Sequence, residues 1–337
     1  TLWYIDQLKN REPWGAKKIP LSFSDESLRV SETDDRALSY DFGEAKSISI
    51  PVKKEILAEF TDDQNIINSG QMNFTFVGSP LGERDGKTYY VFYVNNKLIL
   101  DILQQTKFER PVYFSSSVGP DVFSGLGRHL RYEGMAMRVC PVPVNSLKTG
   151  KIYEKVMEAC LMNVDNSNNF SREPKYGFKL RNLDGNSYYY YDEVHRRLMT
   201  NYRILYLNYA TYQLETKRDS AKCIQVIDMM NKYISPVYFP LYHDEESQIA
   251  LLYNEAGDKE KAREWARRTI KSCNEIFSNS KLRRDRVESL ADEMKGRHGV
   301  HKSAAEAYKI LGDYNSAREK LMALYTISRQ AQNKRSS

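Results

Sequence analysis

The sequence lacks the features that mark membrane-spanning, zinc-binding or disulfide-rich proteins. It has four cysteines and five histidines in 337 residues, and no cysteine pair has CxxC spacing or a histidine at zinc-ligand spacing. The longest uncharged stretch, residues 64–82, is rich in Asn, Gln, Ser and Gly, so nothing approaches the ~20 apolar residues of a membrane-spanning helix. With 41% hydrophobic and 28% charged residues, the composition is that of a folded globular protein.

Excess charge of one sign is confined to the second half of the chain. Residues 1–187 hold 24 basic and 24 acidic residues, so the net charge of +6 lies in residues 188–337. A basic half can indicate a nucleic-acid ligand, but here bases alternate with acids at helical spacing, as in residues 259–264. The densest arginine cluster, residues 283–286, is interrupted by Asp285. We therefore expect no nucleic-acid partner.

The four cysteines can be read in two ways. An even number permits disulfides, which would persist in an oxidising compartment, but a chain of 337 residues does not need them to hold its core. Cysteines on apolar helix faces or at a strand end behave as small hydrophobic residues. We expect free thiols at Cys140, Cys160, Cys223 and Cys273.

Residues 1–145 have the pattern of a mixed α/β domain, α+β or α/β in class. A short helix is predicted over residues 3–9, and β-rich runs cover residues 47–52, 73–77 and 134–142. The clearest unit is a strand over 88–94, a helix over 97–107 and a strand over 110–115. This change of period from two to 3.6 and back predicts a βαβ crossover with adjacent parallel strands.

Helical signals dominate the rest of the chain. Residues 146–187 form a predicted junction with a helix over 151–162 and an Asn-rich loop over 163–169. From residue 188 to 337 an all-α domain is expected, because a tetratricopeptide-like template recurs. One copy places Gly257 between Ala250 and Ala262, and another places Gly312 between Ala305 and Ala317. A degenerate copy ends at Ala221, which leaves spacings of 41 and 55 residues where the standard period is ~34.

One candidate polar site follows from the predicted βαβ unit. Asn95 and Asn96 follow one strand, and Ser115, Ser116 and Ser117 follow the next. Ligands of open α/β sheets bind at the carboxyl ends of parallel strands, so these polar groups would share one edge. Ordinary helix caps and turns are the alternative, with Asn95 or Asn96 capping the helix.

Other motifs carry weaker signals, and no catalytic, cofactor or metal site is expected from them. His298 and His301 near Asp292 and Glu293 could form a metal site, but Gly299 weakens the helix that would align them. The Gly125-Leu-Gly127 sequence lacks the third glycine of a dinucleotide loop. The tyrosine run at 188–191 could stack a sugar, although such runs more often pack between domains.

Three segments in this order resemble a known family: Trp3-Tyr-Ile-Asp-Gln7, then Leu98–Leu103 followed by Arg110–Phe114, then Tyr132–Val139. Together with the helical repeats, they are similar to the C-terminal part of the bacterial protein O-mannosyltransferase-like family, polytopic membrane proteins long filed as a domain of unknown function. The resemblance implies an upstream multi-helix membrane region of the GT-C type that uses a lipid-linked sugar. It also implies an extracytoplasmic, membrane-anchored location for this chain. The acidic loop residues of that region are absent here, so no catalytic residue is carried over.

The sequence leaves two main functions open, and a third is a soluble hydrolase or transferase that uses the edge at Ser115–Ser117. In the first, the chain is an accessory domain that contacts the membrane region of the same polypeptide and a protein or peptide acceptor. The polar positions of the family-like segments are Lys97, Asp101, Arg110, Tyr113 and Glu133, although Asp101 and Arg110 could simply pair. In the second, the chain is a free-standing tetratricopeptide-like scaffold unrelated to sugar transfer.

Overall fold

The computed structural model describes residues 42–43, 46–84, 86–91, 94–167, 175–185, 190–278 and 299–335. The helix predicted over residues 3–9 lies outside the described residues, as does His298. The chain divides into two compact units, with the boundary between Met157 and Glu158. The predicted three-part division at 145 and 187 stays a prediction.

Strands occur in the first unit. They are β1 (Phe42–Gly43), β2 (Lys46–Pro51), β3 (Gln71–Phe76), β4 (Ser79–Arg84), β5 (Lys87–Val91), β6 (Tyr113–Ser115), β7 (Leu130–Glu133) and β8 (Ala136–Val139). The helices that precede the second unit are α1 (Lys54–Phe60), α2 (Gln64–Ser69) and α3 (Val94–Thr106). Helix α4 (Glu154–Leu161) spans the unit boundary and confirms the helix predicted over 151–162.

The second unit is mostly helical. Its further helices are α5 (Glu193–Glu215), α6 (Ser220–Tyr233), α7 (His243–Ala256), α8 (Lys259–Ser278), α9 (Val300–Leu311) and α10 (Tyr314–Arg335). Small sheets followed by a helical region agree with the fold class expected from the sequence. None of the helices within the described ranges is both long and apolar enough to cross a bilayer.

The strands form three small antiparallel sheets. Sheet 1 has the order β1-β5-β4, sheet 2 pairs β2 with β3, and sheet 3 has the order β6-β8-β7. Side chains alternate across each strand, so Met72, Phe74 and Phe76 of β3 are buried while Gln71 and Asn73 are exposed. The buried side chains of sheets 2 and 3 join those of α1 and α3 in one hydrophobic core.

The predicted βαβ crossover is wrong. Its helix exists as α3, but β5 and β6 belong to different sheets and both pair antiparallel. The reason is local: β4 and β5 form a hairpin that turns at Gly86, which has φ +72°. Since β1 pairs with the other edge of β5, no edge of β5 remains for β6.

The second unit contains the predicted helical hairpins. Gly257 ends α7 and Gly312 ends α9, each in the left-handed conformation that glycine adopts without strain. Helices α8 and α10 then begin after Asp258 and Asp313, whose carboxylates accept backbone hydrogen bonds from the residue three positions on. The predicted turns at both glycines are confirmed.

Small residues sit where the paired helices touch. Ala262 and Ala317 are 0% and 2% exposed, as predicted. The first hairpin, α5 and α6, turns without glycine and starts α6 after Asp219, so its equivalent position is the buried Cys223. Ala221 is exposed, and its assignment as the third small residue is therefore wrong.

All four cysteines are buried and free, which confirms that prediction. Burial raises the pKa of the Cys140 thiol and of the Cys223 thiol to about 11. Thiols with raised pKa values are poor nucleophiles at neutral pH, so these side chains have a packing role.

Candidate functional site

The predicted polar edge does not form, because the strands that precede its two halves lie in different sheets. The serines lie at the end of β6 and in the turn that follows it. The Ser115 and Ser117 hydroxyl oxygens are 2.8 Å apart. The Ser116 backbone N–H donates to the Met135 carbonyl at 3.0 Å. The three serines are thus used in a turn beside sheet 3, which is the alternative that the sequence left open.

Asn95 and Asn96 lie inside the first turn of α3 and do not cap it, since the helix begins at Val94. Asn95 is exposed, whereas Asn96 is 1% exposed. The Asn96 amide nitrogen donates to the Ser124 hydroxyl at 2.7 Å, and the Ser124 carbonyl accepts the Val77 N–H at 3.1 Å. Asn96 therefore holds the loop at Ser124 in place.

Two other predicted residues are Asp101, which lies within α3, and Arg110, which lies after its end. Asp101 is 3% exposed and accepts a long hydrogen bond of 3.4 Å from the Gln105 side chain. Arg110 is half-buried and precedes β6. Neither residue lies on the strands of sheet 3.

The polar face of sheet 3, formed by Tyr113, Arg131, Glu133 and Arg138, brings two predicted residues together. The Tyr113 hydroxyl donates to Glu133 Oε2 at 2.9 Å. Arg131 donates from Nε to Glu133 Oε1 at 2.9 Å, and its Nη2 bonds the same oxygen. Because both carboxylate oxygens of Glu133 already accept hydrogen bonds, this carboxylate is a structural anchor and a poor candidate for a general base.

Arg131 and Arg138 complete this polar face, and the sequence reasoning missed both. They are directly opposite each other on β7 and β8, and Arg138 is opposite Tyr113 on β6. The guanidinium of Arg131 lies 4.4 Å from the Tyr153 ring centroid, and that of Arg138 lies 5.0 Å from the Phe60 centroid. The signal that could have identified them is the alternation of charged and apolar residues in Leu130–Glu133 and Met137–Val139.

A groove opens on another side of the first unit. It encloses about 1080 Å³ and is lined by β3, by residues 120–129 and by residues 143–145 with Lys151. Gly125 shapes it, because its φ of +90° and close approach to β3 leave no room for a side chain; a Cβ would lie 1.9 Å from the Thr75 carbonyl oxygen. The loop that Asn96 anchors through Ser124 therefore forms part of this groove.

The charged groups of the groove are basic. Arg128 and Lys151 line it and are exposed. His129 also lines it, but it is 4% exposed and its Nδ1 lies 3.1 Å from the Cys140 carbonyl oxygen. Burial lowers the pKa of His129 below its usual 6.5, so this ring is neutral at pH 7.

The second unit contains a buried arginine. Arg203 on α5 is 1% exposed and its Nη2 reaches the backbone carbonyls of residues 234, 235 and 239 in the segment after α6. Burial lowers its pKa to about 10, a shift that the nearby Glu245 and Glu246 oppose, so Arg203 still carries its charge at pH 7. These carbonyl oxygens accept from Nη2 and hold the segment against α5, whereas the buried Nε has no hydrogen-bond partner among the described residues.

The first turn of α7 contains three acidic residues, Asp244, Glu245 and Glu246. Glu245 accepts the Tyr242 N–H at 2.9 Å, and Glu246 accepts the Ser272 hydroxyl of α8 at 2.7 Å. Burial raises the pKa of both carboxyls above the usual 4.5. The His243 ring reaches the Ser303 hydroxyl of α9 at 3.0 Å, which joins neighbouring hairpins.

The described residues contain no group of three or more His, Cys, Asp or Glu side chains that could hold a metal ion. His301, one half of the candidate histidine pair, lies in α9 with its ring 4.7 Å from the Phe277 centroid. In the tyrosine run, Tyr191 packs on Phe239 at 4.8 Å and donates to the Asn182 carbonyl, while Tyr190 is 87% exposed. Tyr191 therefore has a packing role.

Comparison with known proteins gives one match. A family model described as TMEM260-associated domain 2 matches residues 62–156, less than a third of the chain. No curated protein and no solved structure matches the chain. The matched segment contains the polar face of sheet 3 and every described residue that lines the groove.

Proposed function

We propose that this chain is an accessory part of a membrane glycosyltransferase-like protein and serves its acceptor or its membrane region. The observation that carries the proposal is the TMEM260-associated match, since TMEM260 is classed with the protein O-mannosyltransferases. Two of the three sequence segments that resemble the bacterial family, Leu98–Phe114 and Tyr132–Val139, lie within the matched residues. Two lines of reasoning thus lead to one kind of protein.

In this proposal, sugar transfer takes place in a membrane region upstream, and this chain does not carry the catalytic base. Transfer to a hydroxyl acceptor needs a carboxylate within hydrogen-bond reach of that hydroxyl. Glu133, the acid at the centre of the polar face, is engaged at both oxygens. Glu245 and Glu246 are buried within the second unit and hold helix ends together.

The helical hairpins are the proposed protein-binding part, of tetratricopeptide-like type. Successive hairpins stack through buried small residues, and stacked helix pairs present extended surfaces to peptides and proteins. The last helix, α10, buries Ala317 but exposes Leu321, Met322 and Tyr325 at 40%, 55% and 56%. We assign this apolar face to the protein acceptor, and the location of the chain to the extracytoplasmic side.

The test uses the complete encoded polypeptide and a double variant, Leu321→Ser with Tyr325→Ser. We expect the KM for the protein acceptor to rise about tenfold or more with little change in kcat, because uniform binding is lost. Arg263→Ser with Arg267→Ser, exposed on α8, is the control and leaves both constants unchanged. An unchanged acceptor KM in the α10 variant contradicts this role.

A simple observation separates this proposal from a free-standing scaffold. The reading frame upstream of Thr1 encodes many hydrophobic spans if the accessory role is right. A start codon or a cleavable signal directly before Thr1 favours the scaffold, which the hairpins would also suit.

A further inference from the structure

The groove of the first unit has a lining that fits an anionic, hydroxyl-bearing ligand. Its volume of about 1080 Å³ is enough for a ligand of one or two sugar rings. Among the described residues that line it, Arg128 and Lys151 are basic and none is acidic. The groove therefore concentrates positive potential in a segment of the chain whose net charge is zero.

The two cations are exposed and available to a ligand, whereas Arg131 and Lys148 of the same unit are engaged in ion pairs. Arg131 is paired with Glu133, and Lys148 lies 2.9 Å from Asp62. In the part of the chain that the structure describes, the Arg128 side chain has no ion-pair partner, and the Lys151 ammonium has none either but lies 5.8 Å from the centroid of the Tyr132 ring. A guanidinium binds phosphate oxygens in a bidentate manner, and an ammonium adds a second point charge for the same group.

The uncharged lining adds specificity for a sugar ester. Asn73, Thr75 and Asn145 bring amide and hydroxyl groups that can pair with ligand hydroxyls. Phe123 contributes an aromatic surface for the apolar side of a sugar ring. The groove is also built to keep its shape, because Gly125 abuts β3 and Asn96 fixes Ser124.

We propose that this groove binds a phosphorylated saccharide, with the phosphate held between Arg128 and Lys151 and the sugar hydroxyls facing Asn73 and Asn145. The same chemistry occurs in a soluble sugar phosphate and in the headgroup of a lipid-linked one. The inference rests on the lining of the groove and not on the accessory role proposed above.

The test titrates the purified chain with glucose 1-phosphate, glucose and inorganic phosphate by calorimetry. We expect glucose 1-phosphate to bind at least about tenfold more tightly than either fragment, because each fragment reaches only half of the groove. Phosphatidylcholine vesicles with and without a polyprenyl-phosphate hexose form a second arm. Recruitment to the doped vesicles alone identifies the lipid-linked source, and binding of glucose 1-phosphate alone identifies the soluble one.

Variants assign the binding to this groove. Arg128→Gln and Lys151→Gln should each weaken the sugar ester about tenfold or more, and the double variant should abolish measurable binding. Lys155→Gln, exposed in the same unit but outside the groove lining, is the matched control and should bind like the parent chain. The proposal fails if neither arm binds at millimolar ligand, or if the double variant, with an unchanged melting temperature, binds as well as the control.

Discussion

At the residue scale, Glu133 and Arg131 form a buried ion pair in the first unit. Their side chains are 7% and 6% exposed, and the ion pair is completed by Tyr113 and Thr149. Removing one partner of a buried pair leaves an uncompensated charge, which costs far more than the pair contributes. The stability of sheet 3 therefore depends on both members being present.

Glu133→Ala is expected to lower the free energy of unfolding by roughly 3–5 kcal/mol, because Arg131 keeps its charge in a buried site. Tyr113→Phe removes only the hydroxyl that donates to Glu133, so it should cost about 0.5–1.5 kcal/mol. Urea titration followed by fluorescence measures both. Equal losses in the two variants would show that the charge is not buried as described.

The raised pKa of Glu245 predicts that the unfolding free energy of the second unit depends on pH. Its pKa is higher in the folded chain than the usual 4.5, so the folded state binds the proton more tightly and the unfolding free energy falls as pH rises from about 4.5 through the raised value. Glu245→Gln keeps an acceptor for the Tyr242 N–H and removes this titration. The stability of the variant relative to the parent chain should thus increase as the pH rises above about 4.5.

Thermal melts at several pH values measure that difference, with Glu264→Gln, exposed on α8, as the control. Parallel pH profiles for Glu245→Gln and the parent chain would contradict the assigned shift.

At the element scale, the hairpins depend on small residues four positions after each helix-starting aspartate. Ala262→Leu should lower the free energy of unfolding by roughly 1–3 kcal/mol, since the new side chain has no space between α7 and α8. Ala221→Leu, on the exposed side of α6, is the matched control and should change it by less than about 0.5 kcal/mol. The assignment of Cys223 as the equivalent position is contradicted if Ala221→Leu is the more damaging change.

The loop beside β3 gives a second prediction at this scale. Gly125→Ala should destabilise the first unit by roughly 2–4 kcal/mol, because the added Cβ meets the Thr75 carbonyl and φ is +90°. Gly127→Ala, whose Cβ would only approach Phe123 to 4.0 Å, should be tolerated. Melting temperatures of the two variants decide it, and similar values would show that the loop does not pack on β3 as described.

Local sequence patterns predicted the helices and strands well, but they predicted the pairing of the strands poorly. The extents of β2, β3, α3 and α4 and the turns at Gly257 and Gly312 follow from periodicity and glycine conformation, which act within a few residues. The pairing of β5 could not be predicted from the sequence, because the pattern of a strand does not show which other strands lie beside it in the sheet. The hairpin at Gly86 and the short β1 decide that question.

The same difference applies to the candidate site. Tyr113 and Glu133 were identified from the family-like segments, yet their link through Arg131 depends on the register of three strands. The groove could not be predicted from local patterns because its lining comes from separate segments of the chain, as with Asn73 on β3 and Lys151. Gly125, dismissed as a weak dinucleotide motif, instead packs against a strand.

At the scale of the whole molecule, the two units have different characters. The first carries a basic groove and a rigid polar face within the TMEM260-associated match, and the second carries stacked hairpins with an exposed apolar helix face. This division suits a protein that recognises a sugar ester and a polypeptide but leaves bond formation to a membrane region.

The most direct test of that account measures transfer of radiolabelled mannose from a polyprenyl-phosphate donor to protein. The purified chain and the complete membrane-anchored polypeptide from the same reading frame are assayed side by side with an extracytoplasmic protein extract. The account predicts incorporation by the complete polypeptide and none above background by the chain alone. Incorporation by the chain alone, or none by the complete polypeptide, would contradict it.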